Sequence, residues 1–380
     1  MHNPADIYNI LQEEGIGMFM GVPDSLLKDF CAYVTDHTSS KEHVITANEG
    51  NAIGLATGHF LGSGNPALVY MQNSGIGNAI NPLLSLADSE VYGIPMLLMV
   101  GWRGEPDVKD EPQHVKQGRI MPALLDSMEV PWYVLDASTA NPAELIADAM
   151  KKMREHMAPV VLLVRKGSFS KYTLQHDIIT DYPMNREAAI KCVVNMFDGQ
   201  EIVVSTTGMA SRELYEYRAA KGDGHNNDFL TVGAMGHTAS IAMGMANAQT
   251  ERHVICLDGD GSVIMHMGAL SNIGQSDLPN ILHIVINNGA HDSVGGQPTV
   301  GFAVDILKIA ESCGYKQAIS VSKFDELQQA FKKLSSVPGP SLLEVRVNKG
   351  ARSDLGRPKN SPIQNRNALM GRLNIKMASK

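Results

Sequence analysis

The sequence predicts an α/β protein built from two doubly wound parallel-sheet domains. Three observations predict it. Short apolar runs typical of buried parallel strands recur along the chain, helical patterns separate them, and one polar, non-periodic stretch divides the series in two. The first half opens on a helix signalled by Pro4 and Asp6. Its strands are read in ALVYM (67–71), MLLMV (96–100) and VVLLV (160–164), with helical patterns such as NPAELIADAMKKMREHM between them. The polar stretch KGSFSKYTLQHDIITDYPMN reads as the connection, which sets expected boundaries at 1–168, a linker at 169–185, and 186–380. The second half begins with a helix near Arg186 and runs through the strands IVVST (202–206), VICLD (254–258), LHIVI (282–286) and SLLEVRV (341–347) to a C-terminal tail. No low-complexity tract or short repeat occurs, although both halves follow the same strand-helix logic.

Composition narrows the function classes. At 380 residues and 44% hydrophobic, the chain can bury two cores. A net charge of -8 gives no electrostatic footprint for nucleic acid or an anionic membrane. No apolar run reaches transmembrane length, and the acidic N-terminus does not read as a signal peptide, so a cytoplasmic location is expected. Cys31, Cys192, Cys256 and Cys313 lie scattered in apolar surroundings without metal spacing, as reduced core thiols do.

The richest stretch is LDGDGSVIMHMGALSNIGQSDLPNILHIVINNGAHDS. It places an acidic glycine turn, Gly259-Asp260-Gly261, after one apolar strand and an asparagine pair, Asn287-Asn288, after the next. The segment between is long enough for a crossover helix. Ligands of an open parallel sheet sit beyond the carboxyl ends of its strands, so the two clusters are expected to meet. Gly259 and Gly261 let the backbone approach phosphate oxygens, and the following helix offers unpaired N–H groups to the same anion. Asp260, the Asn288 amide and a nearby backbone carbonyl are oxygen donors of the kind magnesium takes beside phosphate and water. An EF-hand starting at Asp258 would need a glutamate where Ala269 stands. No Gly-Lys-Ser/Thr loop occurs, and the GxG pairs at Gly75, Gly222 and Gly259 lack the third glycine of a dinucleotide site. The plain alternative is an ordinary strand-end turn beside a fortuitous Asn-Asn.

GDGS followed at this distance by NN resembles the thiamine-diphosphate-binding motif of the 2-oxo acid decarboxylases. That resemblance implies thiamine diphosphate and Mg2+ as cofactors, with Asp260, Asn288 and the Ala290 carbonyl on the metal and Gly259, Gly261 and Ser262 at the diphosphate. It also implies a glutamate that hydrogen-bonds N1′ of the aminopyrimidine, in a segment similar to Asn-Glu-x-x-Ala. TANEGNAIGLATGHF supplies Glu49, although a glutamate at a helix N-terminus taken alone complements the dipole. VGAMGHTASIAMGMA resembles the loop that cradles the pyrimidine, which makes Met235 the apolar prop, with Gly233 offering its carbonyl and Gly236 admitting the diphosphate. A glycine-rich packing face is its alternative. STTGMASREL resembles the loop that opens this domain, implying Thr207 at the phosphate, where a helix cap is the routine alternative. The two halves correspond, in order, to the pyrimidine-binding and diphosphate-binding domains of that family, without the middle domain many members carry. Its cofactor lies between domains of different subunits. The resemblance therefore implies a homodimer or higher homo-oligomer acting on a small anionic 2-oxo acid.

A narrower resemblance rests on GVPDSLLKDF, QNSGIGNAINPL, DEPQHVKQGR, NNGAHDSVGGQPT and KGARSDLGRP. These stretches are similar to the phosphonopyruvate decarboxylases of phosphonate biosynthesis. Sulfopyruvate decarboxylases, whose halves are often separate chains, stand next. The implied reaction converts 3-phosphonopyruvate to phosphonoacetaldehyde and carbon dioxide. The proton-transfer candidates are Asp24, which equally suits a cap of the following helix, and His114. His114 is read as a residue of the polar loop after MLLMV that titrates near neutral pH, or else as a plain surface histidine. Ser25 can contact substrate in place of Asp24. A phosphonate asks for cationic or N–H donors, which Arg103, Lys109 in the same loop and Arg352 in the tail can supply, with His291 or Ser293 beside the metal motif. Each such charge can equally be a solvated one. An acetolactate-type carboligase would share Glu49 and the metal motif. A silent scaffold would retain only the fold, and the intact Glu49, Asp260 and Asn288 argue against it.

Overall fold

The computed structural model describes residues 1–175 and 179–375. They form two compact units, Met1–Asp177 with Ser293–Gln297, and Ile178–Asp292 with Pro298–Lys380. The first is a six-stranded sheet of β1 (Phe19–Gly21), β2 (His43–Ile45), β3 (Leu68–Gln72), β4 (Leu97–Gly101), β5 (Trp132–Leu135) and β6 (Val160–Val164). Its strands pair in parallel in the order β2-β1-β3-β4-β6-β5. The second holds β7 (Ile202–Ser205), β8 (Asp228–Leu230), β9 (Val254–Gly259), β10 (Ile281–Asn287), β11 (Gln317–Val321) and β12 (Ser341–Arg346). Its order, β8-β7-β9-β10-β12-β11, is again all parallel. Counted from the first strand of each unit, the two sheets share one topology, 2-1-3-4-6-5.

Alternation explains why the strands read as continuous apolar runs. In the first sheet Val69, Met71, Leu98, Val100, Val161 and Leu163 face one core, which the helix Glu49–Ser63 helps to close through Ala52, Ile53 and Ala56. Leu68, Tyr70, Leu97, Met99 and Leu162 face the other, with Ile7 and Leu11 of Pro4–Glu13 and Met150 and Met153 of Pro142–His156. Successive side chains point to opposite faces, so a strand covered on both must be apolar throughout. The second sheet divides in the same way, Val203, Ile255, Leu257, Ile284 and Ile286 on one side and Val204, Cys256, Val285 and Leu342 on the other. Among the described residues no helix is long and apolar enough to cross a membrane.

Two features differ from the sequence reading. Strands β1, β2, β5, β8 and β11 were not among the expected runs; three of them are only three residues long, below the reach of any periodicity. The crossover after β9 is two short helices, Asp260–Met265 and Ala269–Gly274, because His266 leaves helical geometry at φ -133°, ψ 52°. The stretch expected as a linker is held at both ends. Phe169 stacks on Phe30 with ring centroids 5.5 Å apart, and Tyr172 N–H donates to Asp29 at 3.0 Å, both within the first unit. Tyr182 N–H donates to Asn348 at 2.9 Å within the second.

Strand β1 runs close enough to β3 that a Cβ at Gly21 would lie 1.9 Å from the Tyr70 carbonyl oxygen. Gly21→Ala must separate the two strands, and its expected cost is about 2–3 kcal/mol, read as a fall in the urea midpoint at unchanged slope.

Candidate active site

In both units the segments that follow the first four strands hold the candidate residues, beyond the carboxyl ends of the sheet. The two groups are described in turn.

In the first unit, the chain leaves β1 into Asp24, which is completely buried. Its Oδ2 accepts from Leu26 N–H at 2.9 Å, while Oδ1 has no partner among the described residues. It packs over the bare end of β4, where a Cβ at Gly101 would fall 2.0 Å from Oδ2. Asp24 does not cap the helix Lys28–His37, whose N-cap position is Leu27. Burial pushes its carboxyl up to about 6, against the Leu26 N–H and the Arg103 charge, which favour ionisation.

Arg103 follows β4. Its Nε and Nη2 grip Asp110 at 2.8 and 2.5 Å, and its Nη1 donates to Ser25 Oγ at 2.7 Å. Asn73, just past β3, fixes the Arg103 backbone, donating to its carbonyl at 2.9 Å and accepting from its N–H at 3.2 Å. Burial alone would raise Asp110, but the Arg103 fork and the Glu111 and Gly104 N–H groups hold it well below the usual carboxylate range. The bidentate fork of Arg103 is thus spent on Asp110, a residue the sequence reading did not single out. Lys109, expected to help bind the substrate, is solvent-exposed.

The structure corrects the reading of His114. It is the third residue of the helix Pro112–Ser127, not part of a loop, and it is buried. Burial first, and the Arg103 charge second, lower its pKa to about 4, so it is neutral at pH 7 and does not titrate there. Its Nδ1 and the neighbouring Gln113 Oε1 are buried without partners.

Glu49 is the first residue of its helix, with Asn48 as N-cap accepting from Asn51 N–H at 2.9 Å. Its carboxylate is only 6% exposed and accepts from Asn78 Nδ2 at 2.7 Å. Opposite lies Gly75, where a Cβ would sit 2.4 Å from Glu49 Oε1. Asn73, Gly75 and Asn78 all belong to QNSGIGNAINPL, so a strand-end glycine-asparagine segment was the signal available for them.

In the second unit, Gly259 is the N-cap and Asp260 the first residue of the short helix after β9. Asp260 is 2% exposed, its Oδ2 accepts from the Thr299 hydroxyl, and burial pushes its carboxyl up to about 6. Gly301 closes on it, since a Cβ there would meet Asp260 Oδ2 at 2.5 Å and Asn287 Oδ1 at 2.7 Å. The two asparagines divide their work. Asn287, wholly buried, donates through Nδ2 to the Gly301 carbonyl at 2.8 Å and to Glu344 Oε1 at 2.7 Å, which ties it to the sheet. Asn288 donates to Asp292 Oδ2 at 2.8 Å and accepts from Ala290 N–H at 3.2 Å.

Around this pair the glycines are bare for lack of room. Gly236, at φ +87°, donates its N–H to Ser262 Oγ at 3.2 Å, and a Cβ there would sit 2.4 Å from the His266 ring. At Gly261 a Cβ would lie 3.2 Å from both Met235 Cε and His291 Cε1, so these residues meet over the start of the helix. Burial lowers His291 to about 4. Thr207 and Gly233 are half-buried, while the neighbouring Thr206, which the sequence reading passed over, has a buried hydroxyl with no partner among the described residues. Arg352, expected over the substrate, is instead held by Glu187 at 3.2 Å, by Asp354 at 3.1 Å and by Glu216.

The donor set suits an anion-bearing cofactor with a hard cation. A buried carboxylate lifted to about 6 lacks its counter-charge, the Thr206 hydroxyl and His266 Nε2 lack partners, and two glycines keep side chains out. Comparison with known proteins identifies the cofactor. Residues 2–129 match the model for the thiamine pyrophosphate enzyme N-terminal TPP binding domain, and 206–345 match that for the C-terminal TPP binding domain. A phosphonopyruvate decarboxylase of Streptomyces viridochromogenes is 33% identical over 96% of this chain and 93% of its own. The chain belongs to the phosphonopyruvate decarboxylase branch of the thiamine pyrophosphate enzymes. A second member, from Streptomyces hygroscopicus, is 32% identical over 95% of this chain and 92% of its own. A sulfopyruvate decarboxylase of Methanosarcina acetivorans is 26% identical over 92% of each. Thiamine diphosphate is the cofactor of this enzyme, and β5, β6, the connecting stretch, the helix Arg186–Val194 and β7 lie between the two matched regions.

Two outcomes are expected. Gly75→Ala should displace the Glu49 carboxylate and lower kcat by about 100-fold, with the melting temperature little changed. Asp24 gives up its proton as pH rises through about 6, so a step that uses it as an acid declines above that pH. Asp24→Asn should remove this limb from the kcat/KM profile, while NMR should find His114 neutral down to about pH 5.

Proposed function

We propose that this enzyme decarboxylates 3-phosphonopyruvate to phosphonoacetaldehyde and carbon dioxide, using thiamine diphosphate and Mg2+. The observation that carries the reading is a single chain holding both the buried Glu49 and the buried Asp260–Asn288 group while matching phosphonopyruvate decarboxylases over nearly its whole length.

The cofactor supplies the electron sink for loss of the carboxylate, and the protein supplies position and protons. Glu49, steadied by Asn78 and packed against Gly75, is the carboxylate for the aminopyrimidine. Asp260, the Asn288 side chain and the Ala290 carbonyl hold Mg2+, and Met235, Gly233, Gly236, Gly259, Gly261, Ser262 and Thr207 line the cofactor, joined by Thr206. Asp24, lifted to about 6, is the group able to hold a proton near neutrality and return it to carbon. His114 serves as a neutral hydrogen-bonding partner. Arg103 and Ser25 form the anion subsite, Arg103 offering the N–H groups that Asp110 leaves free. The pyrimidine-binding domain is 1–168 and the diphosphate domain 186–380. A homodimer, with each cofactor served by two subunits, is the smallest working assembly, and its place is the cytoplasm. Sulfopyruvate is the second substrate reading, favoured by the full-length likeness to a sulfopyruvate decarboxylase.

Purified enzyme with thiamine diphosphate and Mg2+ is expected to release carbon dioxide and aldehyde from phosphonopyruvate in preference to sulfopyruvate and pyruvate. Faster turnover of sulfopyruvate would reassign the substrate, and gas release only with a second keto acid would indicate a carboligase. Glu49→Ala should abolish turnover without altering the melting temperature.

A further inference from the structure

We propose that Asp292, held in place by Arg186, is the positioning residue that fixes which end of the Asn288 amide faces the metal. This rests on the assignment of Asn288 to Mg2+ above and extends it to residues outside the motif. The two ends of an asparagine amide are nearly alike in shape and differ in that one donates and the other accepts. Asp292 Oδ2 lies 2.8 Å from Asn288 Nδ2. A carboxylate oxygen accepts, so it takes the NH2 group and leaves Oδ1 on the opposite side, where one lone pair accepts from Ala290 N–H at 3.2 Å and the other can be given to a cation.

Asp292 cannot easily turn away, because the same Oδ2 accepts from Arg186 Nη1 at 2.6 Å and from Gly350 N–H at 3.0 Å. Arg186 is fixed in turn. Its Nε and Nη2 form a fork on Glu213 at 2.8 and 2.9 Å, and arginine and glutamate are both buried. The line Glu213–Arg186–Asp292–Asn288 lies within the second unit and joins the helices Met209–Lys221 and Arg186–Val194 to the loop after β10. Two carboxylates share one guanidinium there, so the line carries surplus negative charge beside Asn288, which favours a cation. Partners of this kind, one bond removed from a ligand, set the orientation and affinity of metal sites.

The test titrates Mn2+, counted as the free ion by EPR, into enzyme with thiamine diphosphate. Wild type is compared with Asp292→Ala, Asp292→Leu, Asn288→Ala and the double variant Asn288→Ala/Asp292→Ala. Asp292→Ala should raise the half-saturating Mn2+ concentration by about 10–100-fold, with kcat at saturating metal falling far less. The double variant should bind no more weakly than Asn288→Ala alone, because the effect of Asp292 passes through Asn288. Half-saturation within twofold of wild type in Asp292→Ala overturns the proposal, as does an equal loss when Asn288 is already absent, which marks a merely structural role. Should Asp292→Ala not fold, Asp292→Leu, similar in shape and without an acceptor, carries the same comparison and the same threshold. Unchanged affinity in Asn288→Ala would sink the metal assignment itself, a result distinct from failure of the positioning role.

Discussion

A sheet covered on both faces leaves its chemistry one place to stand. The central strands of the two sheets spend most of their side chains on two cores and their backbone on the ladder, so reactive groups are pushed past the carboxyl ends of the strands. Both units obey this at the same topological positions. After the first, third and fourth strands come Asp24, the Asn73–Gly75 turn and Arg103 in one unit, and Thr206, Asp260 and Asn288 in the other. The repeated 2-1-3-4-6-5 order makes the enzyme two versions of one scaffold that differ in what their strand ends hold.

That constraint also sets the local electrostatics. Strand ends emerge from a low-dielectric core, and a carboxylate placed there is costly until something compensates it. The structure uses two remedies. Asp110 and Glu213 are matched at once by bidentate arginines, Arg103 and Arg186. Asp24 and Asp260 are left without a full partner, and burial lifts both to about 6. The paired acids build the frame, and the two unpaired ones are groups that the proposed function puts to work.

The legible part of this site is its local part. Apolar runs of four to six residues revealed the central strands, and Glu49 and Asp260 stood out because small residues flank each in one unbroken segment. What escaped the sequence comes from folding distant segments together. Asn78 reaches Glu49 across 29 positions and Thr299 reaches Asp260 across 39, separations at which spacing carries no signal. Arg186 reads as one charge at the start of a helix until the fold sets Glu213 and Asp292 against it. His114 was misjudged for a different reason. Pro112, a common first residue of helices, marked the turn that buries it, and the polar residues around it looked like loop.

On the proposed assignment of Arg103 and Ser25 to the phosphonate, the first unit carries a consequence for the substrate. Arg103 already balances Asp110, so an incoming phosphonate meets a cation whose charge is largely used, with Asp24 close enough for its charge to be felt there. With Asp24 ionised, the group is negative before substrate arrives, and a multiply charged anion is repelled. With Asp24 protonated, the group is neutral and the remaining Arg103 N–H groups and the Ser25 hydroxyl can accept the anion. A like charge brought near a carboxyl disfavours its ionised form, so the substrate itself raises the Asp24 pKa further above 6. On that reading substrate binding draws a proton onto Asp24, the proposed acid, and the phosphonate that selects the substrate also arms it.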